Sequence, residues 1–176
     1  TAGRDGVLFV AGFRHPPNVD AATWFVAEVM PLLRARRPGV RLALVGSSPT
    51  DEVLALAGDD IEVTGFVSDA ELERWYVRSR VAIAPLRFGG GMKGKVLEAL
   101  RHGVPCVTTS TGVQGLGAAS GFMQGIDDAR AMADRIETLL ADDAEWQRVS
   151  TEGLAFLEAG YSREALLRLA TDILEG

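Results

Sequence analysis

The residues best placed to do chemistry lie between positions 85 and 105. There the chain reads Pro85-Leu86-Arg87-Phe88-Gly89-Gly90-Gly91-Met92-Lys93-Gly94-Lys95-Val96-Leu97-Glu98-Ala99-Leu100. A short apolar run precedes this stretch and a helical pattern follows it, so the glycines stand at a strand-to-helix junction. Glycine lets backbone amides come close to a ligand, and a helix N-terminus adds partial positive charge, which makes phosphate the natural guest. Lys93 and Lys95 strengthen that preference. They are the only lysines among the 18 basic residues of the chain. Arg87 adds either a phosphate contact or a brace for the loop. Glu98 falls seven residues after Gly91 and four after Gly94, on one helix face. An ionised carboxylate accepts two hydroxyl hydrogen bonds, so Glu98 suits a ribose diol beside the phosphates. Otherwise it is a solvated glutamate paired with Lys95 or His102.

Two familiar phosphate motifs overlap this segment, and neither is completed. Gly89-x-Gly91-x-x-Gly94 matches the dinucleotide fingerprint, which belongs after a first strand with an acid about 20 residues on. No acidic residue occurs between Glu98 and Asp127. Gly89 to Lys95 also matches most of a P-loop, but Val96 stands where Ser or Thr would hold magnesium. Two histidines and a single cysteine, scattered, make no metal site of recognisable spacing. No Gly-x-Ser-x-Gly elbow is present. His15 follows Arg14 in a proline-rich turn and reads as structural, or as a ligand contact. His102 suits the C-terminal end of a helix. Cys106 reads as a small buried hydrophobe, and Trp24, Trp75 and Trp146 as packing residues.

These residues are positioned by alternating strands and helices. The strands expected are 7–11, 40–45, 61–64, 81–84 and 105–109, with a weaker sixth at 121–125. A helix capped by Asn18 or Asp20 runs to Arg36, and Trp24, Phe25, Val29, Leu32 and Leu33 are its core candidates. Further helices are expected at 51–57, after Ser68 or Asp69, at 92–102, and at 127–141, 144–159 and 162–174. Continuous rather than alternating apolar runs imply strands covered on both faces. The fold class is therefore α/β: a Rossmann-like doubly wound parallel sheet of about six strands with helices on both faces. In such sheets ligands bind outside the carboxyl ends of the strands. Those ends carry Gly12-Phe13-Arg14, Gly46-Ser47, Gly65-Phe66-Val67, 87–91 and 110–115.

At 176 residues the chain suits one domain. The net charge of −6 argues against nucleic acid as a partner, although a few converging cations still admit an anionic ligand. No apolar run approaches the ~20 residues that cross a bilayer. One cysteine excludes an internal disulfide and fits a reducing cytoplasm.

With these residues assembled, the chain resembles the C-terminal, donor-binding domain of GT-B-fold glycosyltransferases of the large retaining family 4. The likeness runs from Phe9-Val10-Ala11-Gly12-Phe13-Arg14 through Val63-Thr64-Gly65-Phe66-Val67 to the block 85–105 and the turn from Thr108 to Gly115. It implies a bacterial enzyme that takes a UDP- or GDP-sugar and transfers the sugar to an acceptor hydroxyl, with no metal or other cofactor. An N-terminal acceptor domain of the same polypeptide is implied as partner, this domain being inactive alone. A cytoplasmic location follows, with any membrane contact made through that other half. By the same resemblance Glu98 holds the donor ribose. Backbone near Gly91, Met92, Lys93 and Gly112 meets the diphosphate, Arg14 beyond Gly12 offsets leaving-group charge, and Phe66 and Val67 border the base. Two positions depart from the family pattern. Gly90 stands where a glutamate would contact the sugar, and the lysine that usually follows the arginine is missing near Val19, leaving Lys93 or Lys95 to supply that charge. The alternative is a nucleotide-binding or protein-interaction module of the same fold without catalysis.

Overall fold

The computed structural model of the chain describes residues 3–91, 93–116 and 121–161. Five strands, β1 (Asp5–Val10), β2 (Leu42–Val45), β3 (Ile61–Gly65), β4 (Ser79–Ala84) and β5 (Cys106–Thr108), form one parallel sheet in the order β3-β2-β1-β4-β5. Helices α1 (Pro16–Trp24), α2 (Met30–Arg36), α3 (Asp51–Leu54), α4 (Asp69–Arg78), α5 (Gly94–Arg101), α6 (Ala129–Ala141) and α7 (Asp143–Tyr161) complete the described chain. Alternate residues of each strand feed two separate cores. Val7, Phe9, Leu44 and Ile83 pack with α1, α2 and α6, whereas Leu8, Val45, Ala82 and Cys106 pack with α4 and α5. Burial on both faces explains the unbroken apolar runs.

The first helix begins earlier than its expected caps. His15 is the N-cap, with no side-chain cap bond, and Pro16 and Pro17 open the helix. Proline suits that place because its φ is preset and its missing N–H would have no intrahelical partner. Asn18 is thereby freed from capping, and its Nδ2 donates to the Gly12 carbonyl at 2.8 Å. A π-helical turn (Phe25–Val29) separates α1 from α2. It ends two residues before Pro31, which has no amide hydrogen to continue the helical ladder. Phe25, Val29 and Leu33 are fully buried, while Trp24 and Leu32 pack at the margin of the core.

Ser68 caps α4 in a reciprocal capping box with Glu71. The expected sixth strand is reduced to one bridge, between Thr108 and Gly125. The reason lies in Phe122 and Met123: Phe122 packs edge-on to Phe156 of α7 with ring centroids 5.7 Å apart, and Met123 is buried in the second core. Phe122 thereby ties the segment to α7, and Gly125 and Ile126 meet β5 at Thr108. The helix expected at 162–174 lies outside the described residues.

Candidate functional site

In this strand order β1 leads to β2 on one side and β4 leads to β5 on the other. The crevice between the carboxyl ends of β1 and β4 is therefore the topological switch point. The loops that leave those strands carry Gly12-Phe13-Arg14 and 85–93. Two close approaches shape the edge. At Gly46, φ is +148° and a Cβ would stand 1.8 Å from the Ala11 carbonyl oxygen, so only glycine lets β2 leave beside β1. At Gly112 a Cβ would stand 1.7 Å from Thr108 Oγ1. The Gly112 amide is already bonded to Thr109, so this glycine permits packing rather than offering a free donor.

Three contacts tie the glycine turn to the start of α1. Arg87 forms a two-pronged ion pair with Asp20, its Nε donating to Oδ2 at 2.9 Å and its Nη2 to Oδ1. Gly89 packs over Pro17, where a Cβ would lie 3.4 Å from the proline ring. Lys95 Nζ donates to Asn18 Oδ1 and lies 4.9 Å from the centre of the Phe9 ring. Asn18 thus links Lys95 to the Gly12 carbonyl, and Arg87 takes the role of a loop brace.

The remaining cations of the crevice have no carboxylate partner. Arg14 is exposed and, among the described residues, makes no hydrogen bond or ion pair. Lys93 is buried, and its Nζ donates to the carbonyls of Gly89, Gly90 and Gly91 at 2.9, 2.7 and 2.8 Å. Lys95 is held by neutral Asn18. Burial, aided by nearby Lys93, pulls its ammonium down to about 8 from 10.5. Beside these charges α5 begins at Gly94 with no side-chain cap; the Val96 amide donates to the Lys93 carbonyl at 2.9 Å, and the Gly94 and Lys95 amides lead the helix.

Glu98 sits one turn into α5, with its side chain 38% exposed. Its Oε1 accepts from Arg101 at 3.2 Å and lies 3.3 Å from His102 Nε2. Of its two expected partners His102 is therefore the one it meets, and Lys95 turns toward Asn18. His102 is fixed by stacking on Tyr76, with ring centroids 4.5 Å apart. Phe66, 81% exposed, and Val67 follow β3 at the outer end of the same edge, two strands from β1. Met92 lies outside the described residues. His15 is exposed at the head of α1, and Cys106 is a buried free thiol that burial pushes up to about 12. Among the described residues no group of three or more His, Cys, Asp or Glu side chains converges on a metal position, and no helix is long and apolar enough to cross a membrane.

Asn18 and Asp20 are the site residues that sequence reading misses, having been assigned to a helix cap. Asn18 lies 77 residues from Lys95 and Asp20 lies 67 from Arg87, so no local pattern signals either contact.

The family described as Glycosyl transferases group 1 matches residues 4–142. The chain belongs to that family. A relative in Klebsiella pneumoniae, a 44.6 kDa protein in the cps region, is 27% identical over 163 residues. The match covers 88% of this chain and 42% of the relative, so the chain spans less than half of that protein's length. Solved structures share the fold at low identity. A TarM variant from S. aureus, bound to UDP, fondaparinux and α-GlcNAc-glycerol, superposes with a TM-score of 0.76 at 14% identity, over 98% of this chain and 36% of its own. Anabaena HepE in complex with UDP and glucose gives 0.74 at 16% identity, over 99% and 49%. The C-terminal domain of LpcC, a glycosyl transferase group 1 family protein from Francisella tularensis, gives 0.65 at 16% identity, over 91% and 89%. The Rossmann-like sheet is thus that of a GT-B glycosyltransferase half, with five strands in place of the expected six.

Proposed function

We propose that this chain is the donor-binding half of a two-domain enzyme that transfers a sugar from a nucleoside-diphosphate sugar to an acceptor hydroxyl. One observation carries the reading: positive charge without a carboxylate partner among the described residues, on Arg14, Lys93 and Lys95, gathers at the β1/β4 switch point beside the glycine turn and the head of α5. An anion of two or more charges fits that place. Cleavage of a glycosyl–phosphate bond builds negative charge on the departing diphosphate, and fixed cations and amide dipoles stabilise it. Arg14, exposed and unpaired, and Lys95, with a neutral partner, are the groups that meet this charge. The same cations stand where a metal would otherwise serve, so the reaction proceeds without one, with retention of anomeric configuration.

Glu98 takes the ribose hydroxyls by exchanging its weak contacts with Arg101 and His102, and backbone around Phe66 and Val67 borders the base. A uridine or guanosine diphosphate is the leaving group; the UDP bound to TarM and to HepE supports uridine. The acceptor is bound by an N-terminal domain of the same polypeptide, a reading supported by relatives about twice this length. Turnover needs that domain, and the work is done in the cytoplasm or at its membrane face. Gly90 favours one other reading, a nucleotide-binding module without transfer, because no side chain stands where the family's sugar-contacting glutamate would be.

Calorimetric titration with UDP, GDP and ADP, without magnesium, tests the proposal. One nucleotide should bind, and Glu98→Ala should weaken it about tenfold, the loss of hydrogen bonds to a charged acceptor. Saturable NAD or ATP binding that Glu98→Ala leaves unchanged would overturn it.

A further inference from the structure

Lys93 brings charge into the glycine turn without presenting it to a ligand. The residue is 8% exposed, and its Nζ meets three carbonyl oxygens, of Gly89, Gly90 and Gly91, within 2.9 Å. An ammonium has three N–H donors, and all three are taken. A phosphate oxygen reaches Lys93 only if a carbonyl gives up its place.

The consequence for the backbone follows from peptide geometry. In a trans planar peptide the C=O and the N–H of the same unit point to opposite sides. With the Gly89 and Gly90 carbonyls drawn in to Nζ, the amides of Gly90 and Gly91 face away from it. All three glycines are exposed, so those amides open onto solvent at the carboxyl edge of the sheet. Gly89 and Gly91 adopt φ of +110° and +78°, where a side chain would be strained, whereas Gly90 does not. The turn is therefore wrapped around a cation, with its donors outward.

We propose that Lys93 is a positioning residue: it holds the glycine turn inverted so that the Gly90 and Gly91 amides receive a phosphate group, and it does not touch that group itself. The proposal rests on the donor-site reading only for the identity of the phosphate, the diphosphate of a nucleotide. Lys95 differs in having a single oxygen partner, Asn18, and donors left for an anion.

The test is 15N NMR of this chain titrated with inorganic pyrophosphate, for the wild type, Lys93→Met and Lys93→Arg. In the wild type the Gly90 and Gly91 amide resonances should shift. Both variants should lose affinity about tenfold or more together with those shifts, because a planar guanidinium does not fit three convergent carbonyls. Direct contact makes a different forecast: Lys93→Arg would keep the charge and most of the affinity. That result, or wild-type affinity in Lys93→Met, overturns the proposal. Should Lys93→Met fail to fold, the wild-type spectrum decides, since pyrophosphate shifts that spare Gly90 and Gly91 also overturn it. Glu98→Ala separates the two readings. Pyrophosphate shifts at the turn with nucleotide binding indifferent to Glu98 would sink the donor reading and leave the role of Lys93 standing.

Discussion

The two edges of the sheet differ in a way that cavity size misrepresents. The larger cleft, about 720 Å³, lies at the amino edge, between the starts of β1, β2 and β3 and the end of α4. The carboxyl edge has a groove of about 620 Å³ in which Arg14 and Arg87 stand with Asp20, Glu28 and Glu52 beside Trp24 and Phe88. At the amino edge Arg4, Arg34 and Arg80 are bound. Arg34 grips Asp60 with two hydrogen bonds of 2.6 and 2.9 Å, which hold that carboxyl below its usual range. Arg4 donates to the carbonyls of Tyr76 and Ser79, and Arg80 to the carbonyl of Leu139 and to Asp143. The cleft itself carries Asp5, Asp59, Asp60 and Glu62 against Arg41 and Arg78, an acidic excess that repels a diphosphate. At the carboxyl edge Arg14, Lys93 and Lys95 have no carboxylate ion pair among the described residues. Volume marks where the sheet is left uncovered; the proposed anion site rests on those cations instead.

The sharpest way to break this comparison is to remove an amino-edge cation. Arg80 is 7% exposed, and its loss leaves the Leu139 carbonyl without a donor. Arg80→Met should cost about 2–3 kcal/mol in urea unfolding while nucleotide affinity stays at the wild-type level. A large fall in affinity without loss of stability would erase the distinction between the edges.

Arg14→Ala should do the opposite. Stability should hold within about 0.5 kcal/mol, and diphosphate affinity should drop about tenfold. Lys95 adds a pH signature of two signs. Its ammonium is disfavoured by folding, so the penalty is full below about pH 8 and fades as pH rises toward 10.5, and stability should rise across that window. Nucleotide affinity should fall over the same range as the cation is lost. Lys95→Met should abolish both trends, and calorimetry in buffers of different ionisation enthalpy reads the proton taken up on binding.

The smallest effect separates two neighbouring glycines. Gly90 has no heavy atom within 4 Å of a built Cβ and no positive φ, whereas Gly91 sits at +78°. Gly90→Ala should change stability by less than about 0.5 kcal/mol, and Gly91→Ala should cost about 1 kcal/mol. Equal costs would mean that the turn is not held in the conformation that Lys93 organises.

Local chemistry made much of the fold legible. Apolar runs marked β1, β2, β4 and β5, because parallel strands buried on both faces need apolar residues at successive positions; the edge strand β3 instead exposes Glu62 between Ile61 and Val63. Of the two expected caps of α4, Ser68 takes the place, with Glu71 completing the box. The start of α1 was misplaced because Asn18 and Asp20 resemble caps, whereas prolines that open a helix need none. The segment 121–125 looked like a strand, but Phe122 and Met123 are apolar for the sake of α7.

The sequence by itself determined the class of the sheet and the glycine turn with its two lysines and Glu98. Each of these is a local property of residue type and spacing. Only the tertiary structure decided which cation does what. Lys93 and Lys95 are near neighbours in sequence, yet one turns into its own loop and the other crosses to Asn18. Arg87 is neutralised by Asp20, while Arg14 has no partner among the described residues. A charge acquires its role from the partners that folding brings to it, and the partners of Arg87 and Lys95 lie more than sixty residues away along the chain.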